Sequence, residues 1–277
     1  MDNKLTYNAT VAVASNVFYR IIKYRIHICV FSFIFLLTFY NSYLHLTPDW
    51  PVMLSFFLWN VALYLFDRAY DSRLDVISQP QEAITEKERV PFLVFSIALS
   101  FVPFLILGFS GKPVWPYLFF LPITFLYTYP VFAGKRVKDF LLIKNLYSAV
   151  IIWPLPVVAV AYFYAGNTQV DFWHLMKDQL FPFFLYVMIG EAFWDIRDVH
   201  GDRVNGVNTI PVVFGTNYAK IYLYGLLVVD LLTSKFKFSE PFVIYCVLIF
   251  FVTPNSPRWV FHIPPLIALY RWVLSFN

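Results

Sequence analysis

Apolar runs of bilayer length recur along almost the whole of this sequence, separated by short polar breaks, and no other feature constrains the fold as strongly. A helix rising 1.5 Å per residue needs roughly 17 to 25 predominantly apolar residues to cross membrane hydrocarbon. Such runs, some shortened, fall at 26–46, 50–67, 91–110, 114–133, 145–165, 179–195, 212–233, 240–253 and 258–275. Hydrocarbon offers no partner to a backbone amide, so each run must satisfy its amides internally, which predicts helices. The expected fold is all-α: a polytopic membrane protein, a nine-transmembrane-helix bundle forming one domain over 1–277. Only 14% of the residues are charged, against about a quarter in soluble domains. Pro241, Pro254, Pro257, Pro264 and Pro265 crowd the last three spans, whose boundaries are the least defined.

With the N-terminus assigned to the cytoplasm, 16 of the 21 Lys and Arg fall on the cytoplasmic side, as the positive-inside rule requires. The net charge of +4 therefore reflects topology and contact with anionic lipid, and gives no argument for a nucleic-acid partner. The expected location is a bacterial inner membrane with the N-terminus cytoplasmic. Cys29 and Cys246 lie in apolar runs without metal-ligand spacing or a disulfide framework. The first 20 residues do not read as a cleaved targeting peptide. Asn8-Ala9-Thr10 fits a glycosylation acceptor but sits on the expected cytoplasmic side, and reads as chance.

Two acidic clusters interrupt this apolar pattern. Asp67, Asp71 and Asp75 follow the second run at spacing i, i+4, i+8, which drifts only about 40° per step around a helix. Asp195, Asp198 and Asp202 follow the sixth at i, i+3, i+7, within roughly 60° of one another. Each cluster thus shares one helix face, and both close their spans on the cytoplasmic side. One such cluster is equally well explained as solvated carboxylates at a helix end. Two clusters holding six of the 17 acidic residues point to a compensating cation, because like charges one turn apart are destabilising on a bare helix. Oxygen ligands without His or Cys suit Mg²⁺, commonly held by one or two carboxylates plus substrate phosphates.

A diphosphate ester at a membrane surface fits this pattern. Its charge must be neutralised before its C–O bond ionises, and Mg²⁺ acts there as a Lewis acid. Arg68, Arg73, Arg197 and Arg203, beside the carboxylates, are candidates to bind the phosphates directly. An isoprenyl tail would lie in the apolar bundle interior. Aromatics make up 21% of the chain, and their faces can steady an allylic cation by roughly 0.5–2 kcal/mol per ring. Most of the rings also suit lipid-facing or interfacial positions.

The segment "DIRDVHGDRVNGVNTIPVVFG", Asp195 to Gly215, resembles the second aspartate motif of the UbiA superfamily of intramembrane prenyltransferases. "DRAYDSRLD", Asp67 to Asp75, resembles the first, and "YTYPVFAGKRVKDFLLIKNLY", Tyr127 to Tyr147, is similar to the segment between them. The resemblance runs from about Tyr19 to the end. It implies a nine-helix bundle with a lateral opening and a central apolar cavity capped on the cytoplasmic side. It also implies that Asp67, Asp71, Asp75, Asp195, Asp198 and Asp202 bind diphosphate through Mg²⁺, with Tyr129, Lys135 and Lys138 as phosphate contacts from a capping loop. Two departures stand out: Arg68 replaces a frequent acidic residue, and the usual Arg-Pro pair downstream gives way to "QPQEAITEKERV". They leave no assignment to the ubiquinone, menaquinone, haem or chlorophyll branches.

Further candidates lie deeper. Glu191, one turn below Asp195 on the same helix face, is costly to place in a membrane. It is either a cavity carboxylate that orients an acceptor or takes a proton, or one half of an ion pair near the interface. Asn60 and Tyr64 share the face of Asp67, and either line the cavity or bond between helices. Arg20, Lys23, Arg25 and His27 either anchor the first span at the interface or meet an acidic acceptor. His45, His174, His200 and His262 show no ligand spacing.

Three functions compete. In the first, an isoprenyl diphosphate is ionised with Mg²⁺ and its prenyl group passes to an acceptor of unknown identity, diphosphate being released. A UbiA-type terpene cyclase is the second, using the same machinery with no acceptor. The third is a cation-coupled transporter, disfavoured because both clusters sit at one membrane face while transporter sites lie near the midplane.

Overall fold

In the computed structural model of the protein, residues 20–274 are described apart from 79, 81, 131–133, 153–158, 160–161, 165–170, 172, 174–176, 178–179 and 234–239. Helix α1 is Ile26–Thr38, prolonged by a π-helical turn over Phe39–Tyr43; α2 is Trp50–Tyr70, α3 Ser72–Ser78, α4 Glu86–Phe109 and α5 Trp115–Leu126. A 3₁₀ turn at Val137–Asp139 precedes α6, Ile143–Tyr147, which runs on as a π-helical turn over Ser148–Ile152. Then come α7 (Phe181–Val204), α8 (Ile210–Val213), α9 (Thr216–Thr233), α10 (Glu240–Phe251) and, after a 3₁₀ turn at Arg258–His262, α11 (Ile263–Leu274). Among the described residues there is no β-strand.

Eight of the nine expected spans coincide with helices among the described residues. Nine of the 21 residues of the expected fifth span, together with Asn8–Thr10 and His174, lie outside the described residues; its first eight residues are helical. Three helices are long and apolar enough to cross a membrane by themselves: Ile26–Tyr43, Trp50–Tyr70 and Glu86–Phe109. Helix α10 is apolar but, at 12 residues, rises only about 18 Å. Helix α7 is longer than its expected span, because its C-terminal part continues past the apolar run and carries the second acidic cluster.

Local sequence explains where the elements begin. Asp49 caps α2, accepting from the Val52 amide at 3.5 Å, and pairs with Lys112 at the α4–α5 turn. Thr85 and Glu88 form a capping box at the start of α4, and Glu88 also receives the Lys23 ammonium at 2.8 Å, tying the entrance of α1 to α4. Pro51, Pro182 and Pro211 sit in the first turns of α2, α7 and α8, where a missing N–H costs nothing.

Helix α7 is the axis of the bundle. Its lower part packs into an aromatic core with α1, α2 and α5, and its other side into a second core with α9, α10 and α11. Sixteen of its 24 residues are buried, so its polar side chains must find partners inside the protein. Helix α2 packs along α1 and α4, whereas α7 packs on α3, α9, α11 and the π-turn after α6.

Candidate active site

The first acidic cluster straddles a helix joint. Asp71 ends α2 with φ −87° and ψ 6°, yet its amide still bonds to the Asp67 carbonyl and the Asp75 amide to the Asp71 carbonyl, both at 2.9 Å. The i, i+4, i+8 stripe therefore survives the joint, and all three carboxylates line one open cavity of about 840 Å³ counted out to its mouth. Asp198, Asp202 and Glu191 of α7 line the same cavity. Asp195 does not; it is 1% exposed and bonded to the Lys144 ammonium at 2.6 Å and the Asn145 amide at 3.0 Å.

Each of the six aspartates meets a side-chain cation. From the 3₁₀ turn, Lys138 donates to Asp67 at 2.6 Å and also to Asp71, and Arg136 donates to Asp71 at 2.8 Å while Asp139 clamps its guanidinium at 2.7 and 2.9 Å. Thr128 adds a hydroxyl to Asp67 at 2.8 Å. Lys144 lies 3.7 Å from Asp202, and Arg197 grips Asp198 through two bonds of 2.6 and 2.8 Å. Burial alone would lower the Lys138 and Lys144 ammonium pKa values, but the adjacent carboxylates hold both above the ordinary lysine range. Asp75 meets Arg68 at 2.5 Å, and burial nevertheless raises its carboxyl to about 6.

Not every sequence candidate reaches this cavity. Asp67, Asp71, Asp75, Asp198, Asp202, Glu191, Tyr64, Lys138 and Arg197 line it. Arg68, expected at the phosphates, is 1% exposed and committed to Asp75, the Lys23 carbonyl at 3.3 Å and the Glu82 carbonyl at 2.6 Å. Arg73 is exposed and pairs with Glu86 at 2.7 Å. Tyr129 and Arg203 point to the surface, and exposed Lys135 lies 5.8 Å from the Phe140 ring. Asn60 is buried, its amide bonded back to the Phe56 carbonyl at 3.0 Å. The physical reason is common to these cases: helix spacing fixes a face but not which face looks inward, and a loop cation goes to the nearest carboxylate.

Several cavity residues were not anticipated as site residues: Tyr127, Arg136, Lys144, Ser148 and Trp194, with Arg25 seen only as a span anchor or acceptor contact. The segment from Tyr127 to Tyr147 held the signal for three of them, since a basic loop beside two acidic helices must supply their counter-charges. Trp194 lies between two guanidiniums, Arg25 at 5.5 Å and Arg197 at 5.8 Å, and its indole N–H donates to the Phe261 carbonyl at 2.8 Å. Beneath the carboxylates, Glu82 is also buried, with Arg258 at 3.5 Å and Arg68 at 3.9 Å. His27 and His262 meet edge to face at 5.1 Å.

A second, almost wholly apolar cavity, about 460 Å³ counted out to its open mouth, lies between α1, α7 and α11, and Glu191 and Trp194 line both. Glu191 and Trp194 thus stand between a charged cavity and an aromatic one.

The profile of the UbiA prenyltransferase family matches residues 28–274. The chain belongs to this family. Among relatives of known name, the digeranylgeranylglyceryl phosphate synthase of Methanobrevibacter smithii is 26% identical over 189 residues, covering 64% of this chain and 62% of that protein. The chain thus spans less than two thirds of that relative's length. Among solved structures, a UbiA homolog from Archaeoglobus fulgidus bound to DMAPP and Mg²⁺ superposes with a TM-score of 0.58 at 16% identity, over 93% of this chain and 97% of the other. The same homolog bound to GPP and Mg²⁺ gives a TM-score of 0.58 at 16% identity, over 93% and 98%. At this identity the likeness establishes the UbiA fold, and with it an all-helical integral membrane protein.

Proposed function

We propose that the protein is a Mg²⁺-dependent intramembrane prenyltransferase, which ionises an isoprenyl diphosphate, passes the prenyl group to an acceptor and releases diphosphate. The observation that carries this reading is a cavity lined by carboxylates of α2, α3 and α7 and by four paired cations, which shares Glu191 and Trp194 with an adjoining aromatic chamber. The Archaeoglobus structures, bound to prenyl diphosphates and Mg²⁺, support it. So does the Methanobrevibacter relative, whose name is that of a synthase of a prenylated product, which favours transfer to an acceptor over cyclisation. In this reading the N-terminus is cytoplasmic and the charged mouth faces the cytoplasm.

The donor set fits Mg²⁺ in kind: the acidic ligands offer oxygen only, and the buried Asp202 Oδ2 has no hydrogen-bond partner. Among the described residues no three acidic, His or Cys side chains converge closely enough to hold an ion as they stand, because Lys138, Arg136, Lys144 and Arg197 already hold the carboxylates. Asp67, Asp71, Asp198 and Asp202 would hold the metal, with Asp75 and Asp195 bracing the two helix ends. Bound Mg²⁺ would neutralise the leaving diphosphate as a Lewis acid. The four displaced cations would then face the phosphate oxygens as charge-assisted donors. The C1–O bond would break with its electron pair going to diphosphate, and the acceptor would form its bond to C1 at the top of the aromatic chamber, level with Glu191 and Trp194. Glu191 stands where the acceptor's proton would leave, and Ser148 bonds to its carboxylate.

The test supplies purified protein with geranyl, farnesyl or geranylgeranyl diphosphate, with and without a membrane lipid extract, and follows diphosphate and organic products. Turnover should stop in EDTA and return with Mg²⁺, and Asp71→Ala and Asp198→Ala should each abolish it. Undiminished turnover in chelator refutes the metal. A prenyl product formed without extract shows a cyclase instead.

A further inference from the structure

The apolar chamber has an orientation. Helices α1 and α11 run away from the charged mouth and α7 runs toward it, so their lining residues fall into levels. Trp194 and Glu191 stand at the top, Phe31, Val187 and Ala268 in the middle, and Phe35 and Phe183 at the foot. At the foot three rings pack together, one from each helix. Phe35 stacks on Trp272 at 3.7 Å with 23° between planes and meets Phe183 tilted at 3.9 Å; Phe183 and Trp272 lie 5.3 Å apart. The Trp272 indole N–H donates to the Phe35 carbonyl at 3.1 Å, which pins the plug to the backbone of α1. All three side chains are buried, at 2%, 6% and 2% exposure for Phe35, Phe183 and Trp272.

We propose that the Phe35–Phe183–Trp272 plug sets the length of the prenyl tail, and that the protein selects a tail of three isoprene units, farnesyl, over the four of geranylgeranyl. This rests on the prenyl-diphosphate reading of the cavity above it. Phe183 lies eight residues below Glu191 and eleven below Trp194, a depth of about 12 to 17 Å along the helix. An isoprene unit adds four main-chain bonds, about 5 Å when extended, by the same bond lengths that set an extended peptide. Two units fit loosely and three fill the depth. A fourth would have to displace rings that are stacked on one another and fixed through Trp272.

The test measures binding rather than turnover. Protein in lipid nanodiscs with Mg²⁺ is titrated with non-hydrolysable thiolodiphosphate analogues of five, ten, fifteen and twenty carbons. Affinity should rise about tenfold or more per unit up to fifteen carbons, as each buries a further apolar segment, and fall about tenfold at twenty. Phe35→Ala opens the foot and should make the twenty-carbon analogue the tightest. Because that variant hollows a core, Val187→Phe serves as a second: it narrows the chamber midway and should cost the ten- and fifteen-carbon analogues at least tenfold relative to the five-carbon one. Equal affinity for fifteen and twenty carbons in the unmodified protein, the result of a tail leaving sideways into lipid, overturns the plug as a ruler. So does an unchanged order of lengths in both variants. Failure of every analogue to bind refutes the diphosphate reading itself.

Discussion

Replacing Lys138 by Met removes an ammonium of nearly the same length as its substitute and tests whether the cavity's cations stand where a metal would act. Lys138 is 7% exposed and bonds to both Asp67 and Asp71. Removing one partner of a buried ion pair costs about 3–5 kcal/mol. Here Asp67 keeps Thr128 at 2.8 Å and Asp71 keeps Arg136 at 2.8 Å, and the Asp67 side chain is 25% exposed. These supports lower the expected cost to about 2–3 kcal/mol. For a chain of this size that corresponds to a fall in melting temperature of about 3–5 °C. The assay is thermal unfolding in EDTA and in excess Mg²⁺ alone. In EDTA the full loss should appear. With Mg²⁺ present the gap should narrow to about 1 kcal/mol or less, because in the parent the ion must displace Lys138 from Asp67 and Asp71, so it binds and stabilises the variant more. Equal losses under both conditions would show Lys138 to be a structural tie with no relation to ligand charge, and the assignment of Asp67 and Asp71 to the metal would fall with it.

Two further outcomes follow from the same geometry. Glu191→Gln should keep the shape of the cavity and lower turnover by about 10²–10⁴-fold if its carboxylate takes the proton. Diphosphate release that continues while prenyl product gives way to free alcohol places Glu191 after ionisation, and wild-type rates on both readouts remove it from the site. Burial alone would raise the Glu82 carboxyl, but Arg197, Arg25, Arg68 and Arg258 hold it below the ordinary glutamate range. A depressed acid contributes stability above its unfolded pKa and loses it as pH falls through the folded value. Glu82→Gln should therefore destabilise by about 1 kcal/mol at pH 7, given ion-pair separations of 3.5 and 3.9 Å, and the gap should close below about pH 4. A gap that stays constant from pH 7 to pH 3 contradicts the electrostatic role.

Much of the fold was legible because a membrane leaves the chain few choices. Apolar runs located the long helices among the described residues, though α7 runs nine residues past its expected end and the short α3 and α8 were not foreseen, and the two aspartate stripes fell on the helix ends where spacing put them. The cavity was legible only in its carboxylates. Arg68 shows why: in sequence it is a cation between aspartates, but a buried guanidinium with five donors is drawn to every acceptor around it, here one carboxylate and two carbonyls. Lys144 shows the converse. As one more cation in a basic loop it carried no distinction, and only the packing of the α6 end against α7 sets it beside Asp195 and Asp202. Trp194 was hidden for a third reason, since in so aromatic a chain no single ring can be told apart without its neighbours.

On the proposed function, the pairing of each cavity aspartate with a side-chain cation has a consequence for selectivity among small ions. A divalent ion arriving alone must compete with ammonium and guanidinium groups already in place, and a phosphate arriving alone must compete with the carboxylates. Either one leaves half of the broken pairs stranded in a poorly solvated site. Only the two together re-pair every charge, the metal with the aspartates and the phosphate oxygens with the released cations. Occupancy is thereby linked: each ligand raises the affinity for the other, and by reciprocity to the same degree. On that reading, free magnesium and free inorganic phosphate would each be poor inhibitors of a site that takes the two together.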